Sequence, residues 1–486
     1  MQDWLEARAK ATPHKTALNF DGQSLTFRML HEQVSLMSEQ WHAAGIVPGQ
    51  VVGLLAFSHP LVVVQIFTAM RVGAILVPLN LRLTIAEMAA QLRQADAAGL
   101  LPYGDAEQLR ALRGAGIRVI TFNTRLPQPN QRNPHIKEHI DLDAAFAIIH
   151  TSGTSGKPKG AVLTYGNFFY SAMASAYRLG HSPDDRWLCV LPLYHVGGLS
   201  ILMRAVLYGI TVDLHERFDL DAINHALDTQ PITLISLVPT MLHRLLESRT
   251  HWPQSLRLIL LGGAAASPEL LTRCRELSLP VATTYGLTEA CSQVATMLPQ
   301  DALHKPGSVG KPLLLMNIRI VNNNSEPVTA GEYGEIVVSG PTIMRGYFND
   351  AESTAQVLRD GWLHTGDIGY LDDDDDLWVV QRRSDLIVTG GENVYPAEVE
   401  QVMRQHPAVE DVCVVGVDDP EWGQQVAAAV VLADAGLSEA ELLAFCREHL
   451  AGYKLPRRLL FVNALPQTAS GKVQRVAVKD LFTSKP

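Results

Sequence analysis

The chain has 486 residues, 47% of them apolar and 19% charged, which suits roughly two to four folding units with buried cores and is too apolar for disorder. Lys and Arg number 40 against 50 Asp and Glu, a net charge of −10 with no long basic run, which argues against a nucleic-acid partner. The 5 cysteines are odd in number and never spaced as CxxC, which argues against a disulfide framework and a zinc site and fits a reducing, cytoplasmic compartment.

In chain order, the N-terminus MQDWLEARAK is mixed in charge and lacks the apolar stretch of a signal peptide. The longest apolar run, Val51 to Met70, is broken by Ser58, His59 and Pro60. It reads as a strand, VVGLLAF (51–57), and a helix with Pro60 near its start, not as a membrane span. RVITF (118–122), WLCVLP (187–192) and LRLILLGG (256–263) read as strands covered on both faces. Leu220–Asp228 and Pro268–Glu276 read as helices between them. From about 305 to 381, IRIV, GEIVVSG, GWLHTGDIGYL and LWVVQRR are short strands separated by turn residues. The acidic run Asp372–Asp376 reads there as a solvated hairpin turn and not a metal site. From 382 onward the chain, with EVEQVMRQ, VCVVGV, VAAAVVLA and EAELLAFCREHL, carries strand, helix, strand and helix signals of its own. The expected fold class is α/β. A large N-terminal region, 1–381, holds layered α/β subdomains plus a β-rich subdomain at about 305–381. A small α+β C-terminal domain, 382–486, follows.

The strongest local signal is TSGTSGKPKG, residues 151–160, following the apolar AAFAIIH. Its glycines let the backbone turn sharply, its hydroxyls and amides are donors, and Lys157 and Lys159 add charge, which together suit a phosphate cradle. It is not a Walker A loop, because no G-x-x-x-x-G-K-[ST] is present. YGLTE (285–289) follows the apolar LPVATT, so Thr288 and Glu289 are expected at a strand end, a hydroxyl for phosphate beside a carboxylate for Mg²⁺. Taken singly, Asp367 in TGD, Arg382, and Lys472 in PQTASGK read as a turn acid, a surface arginine and a tail lysine.

In combination and in order, TSGTSGKPKG, YGLTE, TGD, RRSDLIVTGGENVYPAEVE and a late P-x-x-x-x-G-K resemble the acyl-adenylate-forming (AMP-binding) superfamily over nearly the whole chain. The resemblance implies that a carboxylate attacks the α-phosphate of ATP, giving acyl-AMP and pyrophosphate, and that the thiol of coenzyme A then displaces AMP. It implies that Thr151, Ser152, Gly153, Thr154, Ser155, Gly156, Lys157 and Lys159 hold the β- and γ-phosphates. Thr288 would meet the α-phosphate and Glu289 would hold Mg²⁺. Tyr285, Gly262 and Gly263 would line the adenine, and Asp367 and Arg382 would grip the ribose. Lys472 would bridge the attacking carboxylate and the α-phosphate, where positive charge between two anions lowers the barrier most. The C-terminal domain would be mobile, pivoting at Ser384, where the family more often has Asp or Lys. Gly390-Gly391-Glu392-Asn393 would then replace Lys472 and line a pantetheine tunnel.

His195, in PLYHVGG, matches the aromatic or His position near the acyl site of CoA ligases. Amino-acid-activating domains usually carry Asp close by, and its absence, with the chain ending at Pro486, argues against a peptide synthetase. Gly197-Gly198 are expected to prevent one helix from joining His195 to Arg204. Arg204 lies in the apolar run LSILMRAV, so it needs an anionic partner, either a second substrate carboxylate or a protein acid. DRWLCVLPLYHVGGLS, LHERFD, YGLTEACSQ and RRSDLIVTGGENVYPAEVE are similar to the 2-succinylbenzoate–CoA ligase family of menaquinone biosynthesis. The keto-diacid implied would be activated at its succinyl carboxylate and would present its benzoate carboxylate to Arg204. Ser292 and Gln293 would hydrogen-bond the substrate or cap a following helix. Alternatives are another acid (coumarate-like, benzoate-like or fatty), a luciferase-like oxygenase, and a non-catalytic nucleotide-binding relative, the last opposed by intact Glu289 and Lys472. A homo-oligomer stays open.

Overall fold

The computed structural model describes residues 1–121, 139–152, 158–302, 304–381, 386–433, 436–466 and 473–483. Two compact units emerge from the contacts. One comprises Met1–Leu81, Leu92–Ile149 and Gly160–Val380, and the other Arg82–Gln91, His150–Lys159 and Gln381–Pro486.

The larger unit is layered α/β. One sheet of nine strands, among the described residues, runs in the order Lys311–Pro312, Ser292–Thr296, Val281–Leu287, Leu258–Leu261, Leu234–Leu237, Arg186–Cys189, Thr211–Leu214, Thr16–Phe20, Gln23–Thr26. Its middle strands are parallel and mostly buried, and Leu258–Leu261, LILL, is wholly apolar, as suits a sheet covered on both faces. A second sheet has the order Gly346–Tyr347, Pro158–Thr164, Ala145–Ser152, Ile75–Leu79, Val51–Leu55, Gly99–Leu100. The apolar run from Val51 divides into the strand Val51–Leu55 and the helix Pro60–Val72, with Pro60 in the first turn and His59 accepting from the Leu61 N–H. Among the described residues no helix is long and apolar enough to cross a membrane. A third, antiparallel sheet joins Asn317–Val321, Gly334–Ser339, Trp362–Leu371, Leu358–Arg359 and Leu377–Gln381.

Three expectations need correction. Over its described residues, 118–121, RVITF is not a strand: only Val119 makes a bridge, to Leu100. Gly99–Leu100 is two residues long: the Leu100 N–H donates to the Arg118 carbonyl, and the Leu100 carbonyl accepts from the Ile120 N–H. Gly197 and Gly198 do not break the chain between His195 and Arg204, since a single helix spans Val196–Tyr208 with His195 as its N-cap residue. They lie in the first turn, where a Cβ on Gly198 would fall 2.2 Å from the Pro192 carbonyl oxygen, so glycine permits the close approach. The acidic turn is solvated only at its tip, Asp373 to Asp375. Lys305 Nζ lies 2.8, 2.8 and 2.6 Å from Asp372, Asp374 and Asp376, and Asp376 is buried.

The second unit has a sheet in the order Glu392–Val394, Ile387–Thr389, Gly423–Leu432, Val409–Asp419, with Arg458–Phe461 parallel to Gly423–Leu432. Alternation decides which side each residue fills. Val412 and Val414 pack with Val399, Met403 and Leu442 on one face, while Cys413, Val415 and Val417 pack with Val478 and Phe482 on the other. Lys454 is buried in this unit, its Nζ 2.6 Å from Glu87 and 2.7 Å from Glu398. Burial lowers the Lys454 ammonium's pKa, but the two carboxylates outweigh it and the net direction is up. All five cysteines of the chain are buried and free.

Candidate active site

The site begins with a hairpin whose two strands nearly touch. Val281–Leu287 pairs antiparallel with Ser292–Thr296, with a bulge between Tyr285 and Gly286. A Cβ on Gly286 would sit 1.6 Å from the Ser292 carbonyl oxygen, so only glycine fits here. The chain turns back through a 3₁₀ turn, Thr288–Ala290, and then through Cys291 and Ser292 at φ 50° and 91°. Two successive non-glycine residues in that region mark a strained return held by its surroundings. The turn places Thr288 half-exposed and Glu289 buried. The Tyr347 hydroxyl donates to Glu289 Oε1 at 2.9 Å, and the Met344 N–H donates to the Glu289 carbonyl at 2.8 Å. Among the described residues the other carboxylate oxygen and the Thr288 hydroxyl make no hydrogen bond. Hard oxygen donors of this kind fit Mg²⁺ and a phosphate.

Tyr285 is buried, and its hydroxyl donates to Asp367 Oδ2 at 2.6 Å. Asp367 is aimed by a bulge: the register between Gly334–Ser339 and Trp362–Leu371 slips between Glu335 and Val337, and Gly366 takes φ 74°. Gly262 and Gly263 follow the C-terminal end of Leu258–Leu261, the usual ligand edge of a parallel sheet. A Cβ on Gly262 would meet Thr284 Cγ2 at 2.7 Å.

His195 is half-buried, its ring 4.7 Å from that of Tyr194. Arg204 is wholly buried, and among the described residues it meets no carboxylate. One guanidinium nitrogen reaches Ser171 Oγ at 3.5 Å, the carbon stands 5.8 Å from the Trp187 ring, and Nε has no partner among the described residues. Burial pushes its pKa down, though arginine stays charged. Ser200, one helical turn earlier, also has a buried hydroxyl without a partner among the described residues. Among the described residues no protein acid fills the role of partner to Arg204. Gln293 is buried, its Nε2 bonded to Thr296 Oγ1 at 3.1 Å and its Oε1 unpaired among the described residues. Ser292 and Gln293 begin a strand, so they cap no helix.

The larger unit thus gathers Tyr285, Thr288, Glu289 and Asp367 around one hairpin. In the second unit, Thr151 Oγ1 donates to the Lys159 carbonyl at 3.5 Å, and the Lys159 side chain is buried. Gly390 and Gly391, at φ 58° and 84°, form the two-residue turn between Ile387–Thr389 and Glu392–Val394. A Cβ on Gly390 would be 2.8 Å from the Trp422 ring. Gly153, Thr154, Ser155, Gly156, Lys157, Arg382, Ser384, Lys472 and the Ser152 side chain lie outside the described residues.

Residues 5–348 match the AMP-binding enzyme family, and residues 398–472 match the AMP-binding enzyme C-terminal domain. The chain belongs to the AMP-binding enzyme family. It is 42% identical over 479 residues to a 2-succinylbenzoate–CoA ligase of Bacillus pumilus, covering 98% of this chain and 97% of that one. Among solved structures it resembles a double mutant of o-succinylbenzoate CoA synthetase from Bacillus subtilis bound with its product analogue OSB-NCoA. The TM-score is 0.93 at 39% identity, covering 99% of this chain and 98% of that one. The same Bacillus subtilis enzyme in complex with ATP and magnesium ion gives a TM-score of 0.75 at 38% identity, covering 99% of this chain and all of that one (100%).

Within this AMP-binding enzyme, sequence reasoning missed Tyr347, Ser171 and Trp187. Only the pairing of Gly346–Tyr347 with Ala161 and Val162 brings Tyr347 into the site, and nothing local in RGYF signals it.

Proposed function

We propose that the chain is a 2-succinylbenzoate–CoA ligase. It joins 2-succinylbenzoate, ATP and coenzyme A through an acyl-adenylate, giving 2-succinylbenzoyl-CoA, AMP and diphosphate. Family membership and the likeness to 2-succinylbenzoate–CoA ligases over nearly the whole chain support the chemistry. The observation that carries the choice of acid is Arg204, a buried cation without a carboxylate among the described residues, one turn from the unpartnered Ser200 hydroxyl. A buried charge of this kind costs several kcal/mol unless an anion meets it, and a monoacid would leave it unmet. The benzoate carboxylate of a keto-diacid meets it. His195, Ser292 and Gln293 are assigned to the same acid.

The succinyl carboxylate attacks the α-phosphate while Lys472 bridges the two anions. Thr288 donates to the α-phosphate. Asp367, oriented by Tyr285, and Arg382 hold the ribose, and Gly262 and Gly263 leave room for the adenine. Residues 151–157 and Lys159 hold the β- and γ-phosphates. Magnesium, when bound, is held by Glu289 and neutralises charge on the polyphosphate. In the second half-reaction AMP leaves with both bridging electrons as the coenzyme A sulfur bonds the acyl carbon. The turn Gly390–Gly391 is assigned to the pantetheine path and Ser384 to the pivot between half-reactions.

The test is a ligation assay with ATP and Mg²⁺ on 2-succinylbenzoate, coumarate, benzoate and octanoate, reading AMP release and coenzyme A consumption. Preference for 2-succinylbenzoate is expected. Preference for another acid would overturn the substrate, and no AMP with any acid would overturn the chemistry.

A further inference from the structure

We propose that Tyr347 is a positioning residue for the metal-binding carboxylate, fixing which oxygen of Glu289 faces the cation. Both side chains are buried, and the phenol donates to Oε1 at 2.9 Å. With Oε1 engaged, Oε2 is the oxygen left for a metal, so Glu289 is preset to bind through one atom. A donor to a ligating carboxylate fixes its orientation in this way.

The phenol is itself tightly located. Gly346 and Tyr347 pair with Val162 and Ala161, and the Tyr347 N–H donates to Thr354 Oγ1 at 2.9 Å. Gly346 takes φ 148°, and a Cβ there would lie 2.8 Å from Thr354 Cγ2, so glycine lets the strand reach this position. Asn167 Nδ2 donates to the carbonyls of Pro341 and Ile343, at 2.8 and 2.9 Å, and the Met344 N–H to that of Glu289. The segment 341–348 therefore holds Glu289 by main chain and side chain together. Its stiffness is what turns one hydrogen bond into a directional constraint.

Tyr347 acts in this way only if Glu289 is the magnesium ligand proposed above, and the experiment separates the two ideas. Mn²⁺ is titrated into the enzyme with ATP, and the free ion is counted by its electron paramagnetic resonance signal. Tyr347→Phe is expected to weaken Mn²⁺ retention about 10–100-fold, the usual effect of losing such a partner, with metal-free ATP binding unchanged by calorimetry. Glu289→Gln should lose retention altogether. If Glu289→Gln loses Mn²⁺ and Tyr347→Phe retains it fully, the positioning role is overturned. If Glu289→Gln also retains it, the ligand assignment fails instead. Should Tyr347→Phe lose metal-free ATP binding, Tyr347→His, which keeps a ring donor, decides. Retention within 10-fold of the parent supports the role, and loss in a variant that still binds ATP overturns it.

Discussion

Arg204 sets function against stability at one residue. With no carboxylate beside it among the described residues, its buried charge burdens the fold, and replacing such a charge by an apolar side chain of similar volume is often neutral or stabilising. Arg204→Met should therefore leave the melting temperature unchanged or higher. Its kcat/KM for 2-succinylbenzoate should fall about 10–100-fold, the value of a hydrogen bond to a charged group. A monoacid analogue lacking the ring carboxylate should lose little. Thermal melting and steady-state kinetics on the two acids check this. Arg204 was legible in the sequence because a cation inside LSILMRAV breaks the apolar pattern, yet the lack of a carboxylate beside it among the described residues was not. Glu289 was legible from YGLTE, while its partner Tyr347 comes from a strand 58 residues away with no periodic signal.

At the scale of elements, hairpin tips carry the informative departures. Alternation and turn residues announce Val281–Leu287 and Trp362–Leu371, but the bulges that aim Glu289 and Asp367 depend on register, which a single strand does not encode. The acidic hairpin shows the same limit, since Lys305 is 67 residues from Asp372. Asp372 is slightly buried, which raises its carboxyl, but Lys305, Trp378 and two backbone amides outweigh this and hold it well below the usual range. Lys305 is pushed above its ordinary value by the three aspartates. A depressed carboxylate stabilises above its unfolded pKa of about 4 and loses the contribution as pH falls, and a raised ammonium stabilises below about 10.5 and loses it as pH rises. Lys305→Met should thus lower the melting temperature at pH 7, with the difference from the parent closing toward pH 2. Melting curves across pH test it, and a constant difference would refute the ionic account.

At the scale of the molecule, a linear reading divides the chain once, near 382. The contacts also collect Arg82–Gln91 and His150–Lys159 into the unit of the C-terminal residues, and Glu87 meets Lys454 across 367 residues. No composition shift marks those short segments, although long-range ion pairs tie the first of them to the C-terminal residues, this one and Arg82 with Glu392 at 3.3 Å. Lys454→Met leaves two carboxylates, Glu87 and Glu398, largely buried without their cation. It should cost about 3–5 kcal/mol in chemical denaturation. Adding Glu398→Gln should recover part of the loss, and a double variant worse than the single would contradict the ion-pair account.

The burial of every cysteine has a practical side. Burial drives the Cys189 thiol up to about 12 and those of Cys274, Cys413 and Cys446 to about 11. Reactive sulfur needs both a thiolate and access, and the folded chain offers neither. A colourless thiol reagent that releases a dye will therefore count coenzyme A in a reaction mixture without background from the native catalyst. Any slow extra colour will report molecules that have come unfolded in the cuvette, so one trace yields both turnover and the integrity of the sample.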